Sequence, residues 1–278
     1  MMILDKLKDA LHYVNFLFRR VIFGSEIDTH IVICGYPRSG TSLLYNMIGS
    51  SLDGYKCEPF EVRFVNRLHK IGNYITKRPM DIFDIADIEK YNKFGKRFKV
   101  VICIRDIRDI LTSKHPSIPD EYFIGFENSW WPQNKEFSQW VYNAPGIRDI
   151  FHEIEKYKKN NIDFILVKYE DLILDLSKVQ NDLETYLDVR FQADFSDFHK
   201  NKEKHPYNYE GKVQAKDMGM VRENAAVDTS RLNKWKQDVF RERINQQFES
   251  YPELFNYLTI YGYEKDNHWY DDFLEEKK

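Results

Sequence analysis

Ile31-Val-Ile-Cys-Gly-Tyr-Pro-Arg-Ser-Gly-Thr-Ser-Leu-Leu-Tyr-Asn-Met-Ile48 passes from an apolar strand pattern through a turn marked by Gly35, Pro37 and Gly40 into an apolar helix pattern. Strand, glycine-rich turn and helix in that order are the layout of a phosphate-binding loop, where unpaired N–H groups at the helix start face an anion. One residue of the triphosphate version is missing. The motif Gly-x-x-x-x-Gly-Lys-Ser/Thr places a lysine on the β- and γ-phosphates, whereas here Thr41 follows Gly40. Ser39, Thr41 and Ser42 supply hydroxyl donors, and Arg38 supplies a planar fork of donors suited to an oxyanion with its charge spread over several oxygens. The pattern points to a phosphate or sulfate ester; the plain alternative is a strand-to-helix turn that binds nothing.

Around this segment the 278 residues carry 41 Lys and Arg against 44 Asp and Glu, a net charge of −3, which argues against a general nucleic-acid binder. Cys34, Cys57 and Cys103 are scattered and read as buried thiols rather than a disulfide framework or a metal cluster. Apolar runs at His30–Cys34, Lys99–Ile104 and Phe164–Lys168 are expected as buried parallel strands. Helices are expected over Phe60–Tyr74, Asp106–Lys114, Leu174–Leu187 and Leu232–Phe248. Strands alternating with helices predict an α/β fold of three layers, αβα, with a central parallel sheet flanked by helices. The loop after Cys34 and the residues after Ile104 then share the strand-end edge where such sheets bind ligands.

The segments His115–Ile147 and Val189–Val227 fit no simple element. Leu4, Leu7, Leu11, Val14, Phe18 and Val21, with Lys6, Lys8, Arg19 and Arg20 beside them, make an amphipathic helix expected to pack on its own domain; a membrane-surface or partner helix is the alternative. No leader pattern opens the chain and no run approaches the ~18 apolar residues of a bilayer span. The expectation is a soluble, cytoplasmic protein without a transmembrane segment, a peripheral membrane contact being left to that first helix.

A second anion site follows the strand ending at Ile104. Arg105-Asp-Ile-Arg-Asp-Ile-Leu-Thr-Ser113 sets a serine about two helical turns beyond a strand-end arginine, so that both side chains could reach one phosphate. Here a family resemblance enters. Pro37-Arg-Ser-Gly-Thr-Ser42 resembles the 5′-phosphosulfate loop of sulfotransferases that use 3′-phosphoadenosine-5′-phosphosulfate (PAPS), and Arg105 with Ser113 resembles their 3′-phosphate pair. Phe164-Ile-Leu-Val-Lys-Tyr-Glu-Asp-Leu172 is similar to the family's strand followed by Tyr-Glu-Asp-Leu, and Thr229-Ser-Arg-Leu-Asn-Lys-Trp235 to its late segment ending in a tryptophan that closes over the nucleotide. The matches run in the family's order over most of the chain. The resemblance implies a single P-loop NTPase-like domain: an N-terminal amphipathic helix over 1–24, a PAPS-binding core over 30–235 and a C-terminal helical segment over 236–278. It assigns Arg38, Ser39, Gly40, Thr41 and Ser42 to the phosphosulfate, Arg105 and Ser113 to the 3′-phosphate with Arg108 as a helper, and Tyr169, Ser230, Arg231 and Lys234 to the nucleotide. Without it, Arg105 and Arg108 read equally as pairing with Asp106 and Asp109 on an exposed helix face, and Tyr169 and Trp235 as core aromatics.

The chain lacks the Lys-Thr-His segment that supplies a histidine base in cytosolic small-molecule sulfotransferases, and their late Arg-Lys-Gly run. It looks closer to the tyrosylprotein and bacterial carbohydrate branches, in which a carboxylate soon after the loop helix takes the proton. Lys56-Cys-Glu-Pro-Phe-Glu-Val-Arg63 offers Glu58 as first choice of base and Glu61 as second; alternatively the two start a helix at Phe60. The implied reaction is sulfuryl transfer from PAPS, without a metal, to the hydroxyl of a carbohydrate or glycolipid. Tyr122, Phe123, Phe126, Trp130, Trp131, Phe137, Trp140 and Tyr142 offer ring faces for such an acceptor or pack a subdomain or dimer contact, and Lys200, Lys202, Lys204, Lys212, Lys216 and Arg222 draw in an anion or form a solvated face. The other readings are a P-loop kinase and a non-catalytic nucleotide-binding protein of the same fold.

Overall fold

A computed structural model describes residues 28–58, 60–115, 117–134, 138–200, 206, 208–209, 212–213 and 229–275, together with 11, 14, 17 and 18. The expected N-terminal helix and the lysine-rich stretch therefore lie mostly outside the described residues, as does Phe137. Strand β1, Thr29–Gly35, is buried along its whole length, as a run of apolar residues must be when both sheet faces are covered. It leads through the loop into α1, Thr41–Ser51. Strands β2, Tyr55–Cys57, β3, Asn73–Lys77, β4, Arg97–Ile104, and β5, Ile165–Lys168, complete a parallel sheet in the order β2-β3-β1-β4-β5.

The two-residue alternation of β1 and β4 divides the interior. Val32, Cys34, Val100, Ile102 and Ile104 face one core, and Ile31, Ile33, Val101 and Cys103 the other. The second core is covered by α1 and by α4, Tyr169–Leu174, and α5, Leu176–Leu187. The first is covered by α2, Ile107–Leu111, and α3, Ile147–Lys159, and by the C-terminal helices α6, Asp238–Ser250, α7, Glu253–Ile260, and α8, His268–Glu275. Helices on both faces of a parallel sheet make the three-layer αβα architecture that the sequence pattern predicts.

Element by element, three expectations need correction. The helix expected over Phe60–Tyr74 is absent: Phe64–Arg67 is a single 3-10 turn and Asn73 already starts β3. Gly72, with φ of 94°, ends the approach in a conformation no helix uses, and the Tyr74-Ile-Thr76 run then extends into the sheet. The helix expected over Asp106–Lys114 is shortened to α2, since Lys114–His115 pairs with Ile118–Tyr122. In the helix expected over Leu232–Phe248, Asn233 adopts a left-handed φ of 55° and only a 3-10 turn, Lys234–Lys236, precedes α6. The His115–Ile147 stretch resolves into antiparallel pairs, the larger joining Asn128–Pro132 to Trp140–Pro145; Phe123, Ile124 and Phe126 anchor it to the first core.

Candidate active site

The first turn of the loop follows from crowding between β1 and β4. Gly35 has φ of 127°, and a Cβ there would stand 2.2 Å from the Cys103 carbonyl oxygen. Tyr36 N–H donates to that same carbonyl at 3.2 Å. Ser39 is buried, its Oγ donating to the Tyr36 carbonyl at 2.7 Å and lying 3.0 Å from that of Cys103. Its hydroxyl and its backbone N–H, which donates to the Tyr36 carbonyl at 3.3 Å, therefore brace the loop from within rather than facing an anion. Gly40 begins α1 in a left-handed conformation with no side-chain cap, so the first-turn N–H groups remain for an anion. Arg38 also has a positive φ, 69°, a cost that a side chain accepts when the surrounding loop over-determines it.

Arg38 ties the two anion sites together. Its Nε donates to Ser113 Oγ at 2.8 Å, and its carbonyl accepts from Arg105 Nη1 at 3.3 Å. Burial lowers the Arg38 pKa from its ordinary value, and Arg105 and Arg231 reinforce the shift by repulsion while Tyr169 opposes it. Three guanidinium groups thus converge beside the helix N-terminus, a field that favours a polyanion. Tyr169 closes the far side: the Arg105 guanidinium stands 4.2 Å from its ring centroid, and a Cβ on Gly40 would come within 2.5 Å of the ring. Glycine at 40 is what lets the tyrosine approach.

The late segment is held against this cluster by one buried carboxylate. Asp109 accepts from Arg105 Nη2 at 3.1 Å and from the backbone N–H groups of Asn233 at 3.0 Å and Trp235 at 3.1 Å, and Arg105 Nη2 also donates to the Arg231 carbonyl at 2.5 Å. Ser230, Arg231 and Lys234 are consequently exposed residues on a segment whose backbone is pinned to the site. Arg108 behaves differently from the helper role expected of it. It is 3% exposed, bonded to Asp106 and Glu264, and stacked 4.0 Å from Trp235 and 4.4 Å from Trp269. Its charge is consumed in joining α2 to the C-terminal helices, and Trp235 is a core aromatic that fixes the segment. The aspartate pairing thus exists, but in the interior rather than on an exposed face.

The two glutamates part company. Glu58 forms a two-pronged pair with Arg67, Oε2 lying 2.9 Å from Nη2, and its backbone is held on both sides by Tyr45 Oη at 2.6 and 2.7 Å. Glu61 instead pairs at 2.5 Å with Lys77 Nζ, a buried lysine at the carboxyl end of β3. Burial first, then Arg38, hold the His115 pKa down at about 4, and Glu61 pulls it up. Its ring lies 5.0 Å from Trp140 and 5.4 Å from Phe123, and the Arg78 guanidinium stands 5.1 Å over Trp131. Glu61 and Lys77 thus pair at the carboxyl end of β3, and His115 packs against the half-buried Trp140.

A family model for the sulfotransferase domain matches residues 28–259. The chain belongs to the sulfotransferase domain family. It is a sulfotransferase enzyme, and its parallel sheet and loop are those of that fold. A search of curated proteins finds no match. Among solved structures the sulfotransferase is similar to the sulfotransferase domain from the Synechococcus PCC 7002 olefin synthase, at 14% identity over 82% of this chain and 96% of that one, with a TM-score of 0.47. It is also similar to the sulfotransferase domain from the curacin biosynthetic pathway, at 14% identity over 80% and 98%, TM-score 0.43, and to mouse sulfotransferase SULT7A1 complexed with PAP, at 16% identity over 84% and 86%, TM-score 0.42.

Of the residues the sequence singles out in this sulfotransferase, Arg38, Gly40, Arg105, Ser113, Tyr169 and Arg231 come together at one edge. Lys77 and His115 escape sequence reasoning. Their signals are faint: a lysine three residues past the end of a segment that reads as helix, and a histidine two residues past Ser113 in a stretch with no regular pattern. Among the described residues no helix is long and apolar enough to cross a membrane.

Proposed function

We propose that this sulfotransferase moves the sulfuryl group of PAPS to a hydroxyl of a carbohydrate or glycolipid. The observation that carries the reading is the convergence of Arg38, Arg105 and Arg231 with Ser113 at the uncapped start of α1. The loop N–H groups and Arg38 suit the 5′-phosphosulfate, and Arg105 and Ser113 the 3′-phosphate, with Tyr169, Ser230, Arg231 and Lys234 along the nucleotide. A polyanion with charge at two separated points matches that spread of cations better than a triphosphate, for which the lysine after Gly40 is missing.

Sulfuryl transfer gains from in-line positioning and from charge stabilisation on the transferring and leaving oxygens. The acceptor oxygen bonds to sulfur as the bond from sulfur to the 5′-phosphate oxygen breaks, leaving a sulfate ester and 3′-phosphoadenosine-5′-phosphate (PAP). The acceptor's proton passes to a carboxylate. Sequence ranks Glu58 first for that task and Glu61 second; both are paired, Glu58 with Arg67 and Glu61 with Lys77, and the greater exposure of the Glu61 side chain, 35% against 17%, favours Glu61 as the carboxylate an acceptor can reach. The half-buried Trp131 and Trp140 offer the ring faces on which a sugar packs.

Calorimetry tests the donor. PAP is expected to bind without magnesium and ATP not to bind, and Arg105→Ala to weaken PAP by roughly 10- to 150-fold, the worth of a charge-assisted contact. Tighter, magnesium-dependent binding of ATP by the unaltered protein rejects the reading. Transfer of label from PAPS across saccharides, glycolipids, phenols and tyrosine peptides then identifies the acceptor.

A further inference from the structure

Leu11, Val14, Leu17 and Phe18 are helical, and they are 64%, 61%, 41% and 62% exposed. Steps of three and four residues set Leu11, Val14 and Phe18 on one face of a helix, with Leu17 at its edge. The sequence predicts that this face packs on its own domain, which would bury it; the described part of it is bare. Large apolar side chains gathered on one exposed face form a surface that water disfavours and that a partner is needed to cover.

The charges beside that face decide what covers it. At 3.6 residues per turn the sequence continues the face through Leu4, Leu7 and Val21, with Lys8 and Arg19 along one flank, Lys6 and Arg20 along the other, and Asp5 and Asp9 opposite. Residues 1–24 thus carry four cations against two anions, in a chain whose net charge is −3. A second copy of the helix is a poor cover, because paired faces bring flank against flank and every flanking charge is positive. An anionic lipid surface satisfies all of them: the apolar stripe enters the acyl boundary while the long Lys and Arg side chains reach headgroups on both sides. Six charged residues in this segment rule out a helix that spans the bilayer.

We infer that this helix docks the enzyme on membranes rich in anionic lipid, lying along the interface with Leu11, Val14 and Phe18 inserted. Apolar burial and charge attraction both contribute. Each cation near an anionic surface strengthens binding by about 5-fold, and each buried leucine or phenylalanine by about 10-fold or more. The inference stands independently of the PAPS reading, since it uses no residue of the site. Among the acceptors proposed above it favours the glycolipid, whose headgroup lies in the same interface.

The test mixes the full chain with vesicles of phosphatidylcholine alone or of phosphatidylcholine with phosphatidylglycerol and reads the bound fraction by sedimentation. Binding to the anionic vesicles is expected to be at least ~10-fold tighter than to the neutral ones, and to weaken as salt is raised. Leu11→Glu with Phe18→Glu is expected to lower affinity for the anionic vesicles by roughly 100-fold or more. Lys6→Gln, Lys8→Gln, Arg19→Gln and Arg20→Gln together are expected to bring it down to the level of neutral vesicles, both variants keeping the unfolding midpoint of the unaltered protein. No binding to either vesicle, equal binding to both, or full binding by the glutamate variant overturns the inference. So does a lowered midpoint in the glutamate variant, which would show the face packed on its own domain. A dimer in lipid-free sedimentation that the same variant dissociates overturns it too, since a second copy would then cover the face.

Discussion

The two sides of the strand-end edge are built in different ways. On the side proposed for the nucleotide, the loop grows directly out of β1, Arg105 out of β4 and Tyr169 out of β5, and Asp109 locks the late segment onto them from the interior. On the side proposed for the acceptor, Glu61 lies in an irregular connection and His115, Trp131 and Trp140 in antiparallel pairs laid over the first core. Residues on the first side are positioned by the sheet itself, and those on the second by contacts between side chains of separate connections. On the proposed roles, donor recognition is coupled to folding, whereas acceptor chemistry can be altered with little cost to the framework.

That contrast can be broken or sharpened by substitution. The largest effect is expected on the acceptor side and in turnover alone: Glu61→Gln lowers kcat by roughly two to four powers of ten, the usual worth of a general base, with PAP affinity retained. Glu58→Gln is expected to keep turnover and lose about 1 kcal/mol or less of stability, as a partly exposed pair does. A dead Glu58 variant beside an active Glu61 variant in the label-transfer assay reverses the assignment. On the nucleotide side, Asp109→Ala strands a buried Arg105 and two backbone donors; a loss of about 3–5 kcal/mol is expected in urea unfolding, with PAP binding lost as well. Loss of PAP binding at full stability would show that Asp109 braces the site without bracing the fold.

The smallest effect is a slope. The His115 pKa is lowered from 6.5 to about 4 in the folded protein, so the unfolded chain binds the proton more readily between those values. Its contribution to stability is complete above pH 6.5 and disappears as pH falls through 4. Replacing it with glutamine should flatten the acid limb of the stability curve by at most about 1.4 kcal/mol per pH unit; an unchanged limb would mean that the ring is as free in the folded protein as in the unfolded one.

How much of this was legible in the residues follows the same divide. The β1 and β4 runs declare themselves because strands buried on both faces must be continuously apolar, and Gly35 and Gly40 because the chain turns where a Cβ does not fit. By contrast β2 and β3, with Lys56, Asn73, Thr76 and Lys77 among their residues, resemble neither an apolar run nor a clean alternation, and a helix was expected across their approach. Arg108 shows the limit of motif reading: its spacing from Arg105 is compatible with a shared phosphate, yet Trp235, Trp269 and Glu264 from distant parts of the chain claim its charge.

By itself, then, the sequence determined the layered parallel sheet, the anion-binding loop without its lysine and the strand-end arginine that accompanies it, because these depend on local backbone geometry and on burial pattern. Only the tertiary structure decided that Glu58 pairs with Arg67 and Glu61 with Lys77, that Asp109 holds Arg105 against the late segment while Glu264 and two tryptophans enclose Arg108, and that His115 packs on Trp140. Those outcomes depend on side chains from distant parts of the chain, because a buried charge needs a partner that can satisfy it.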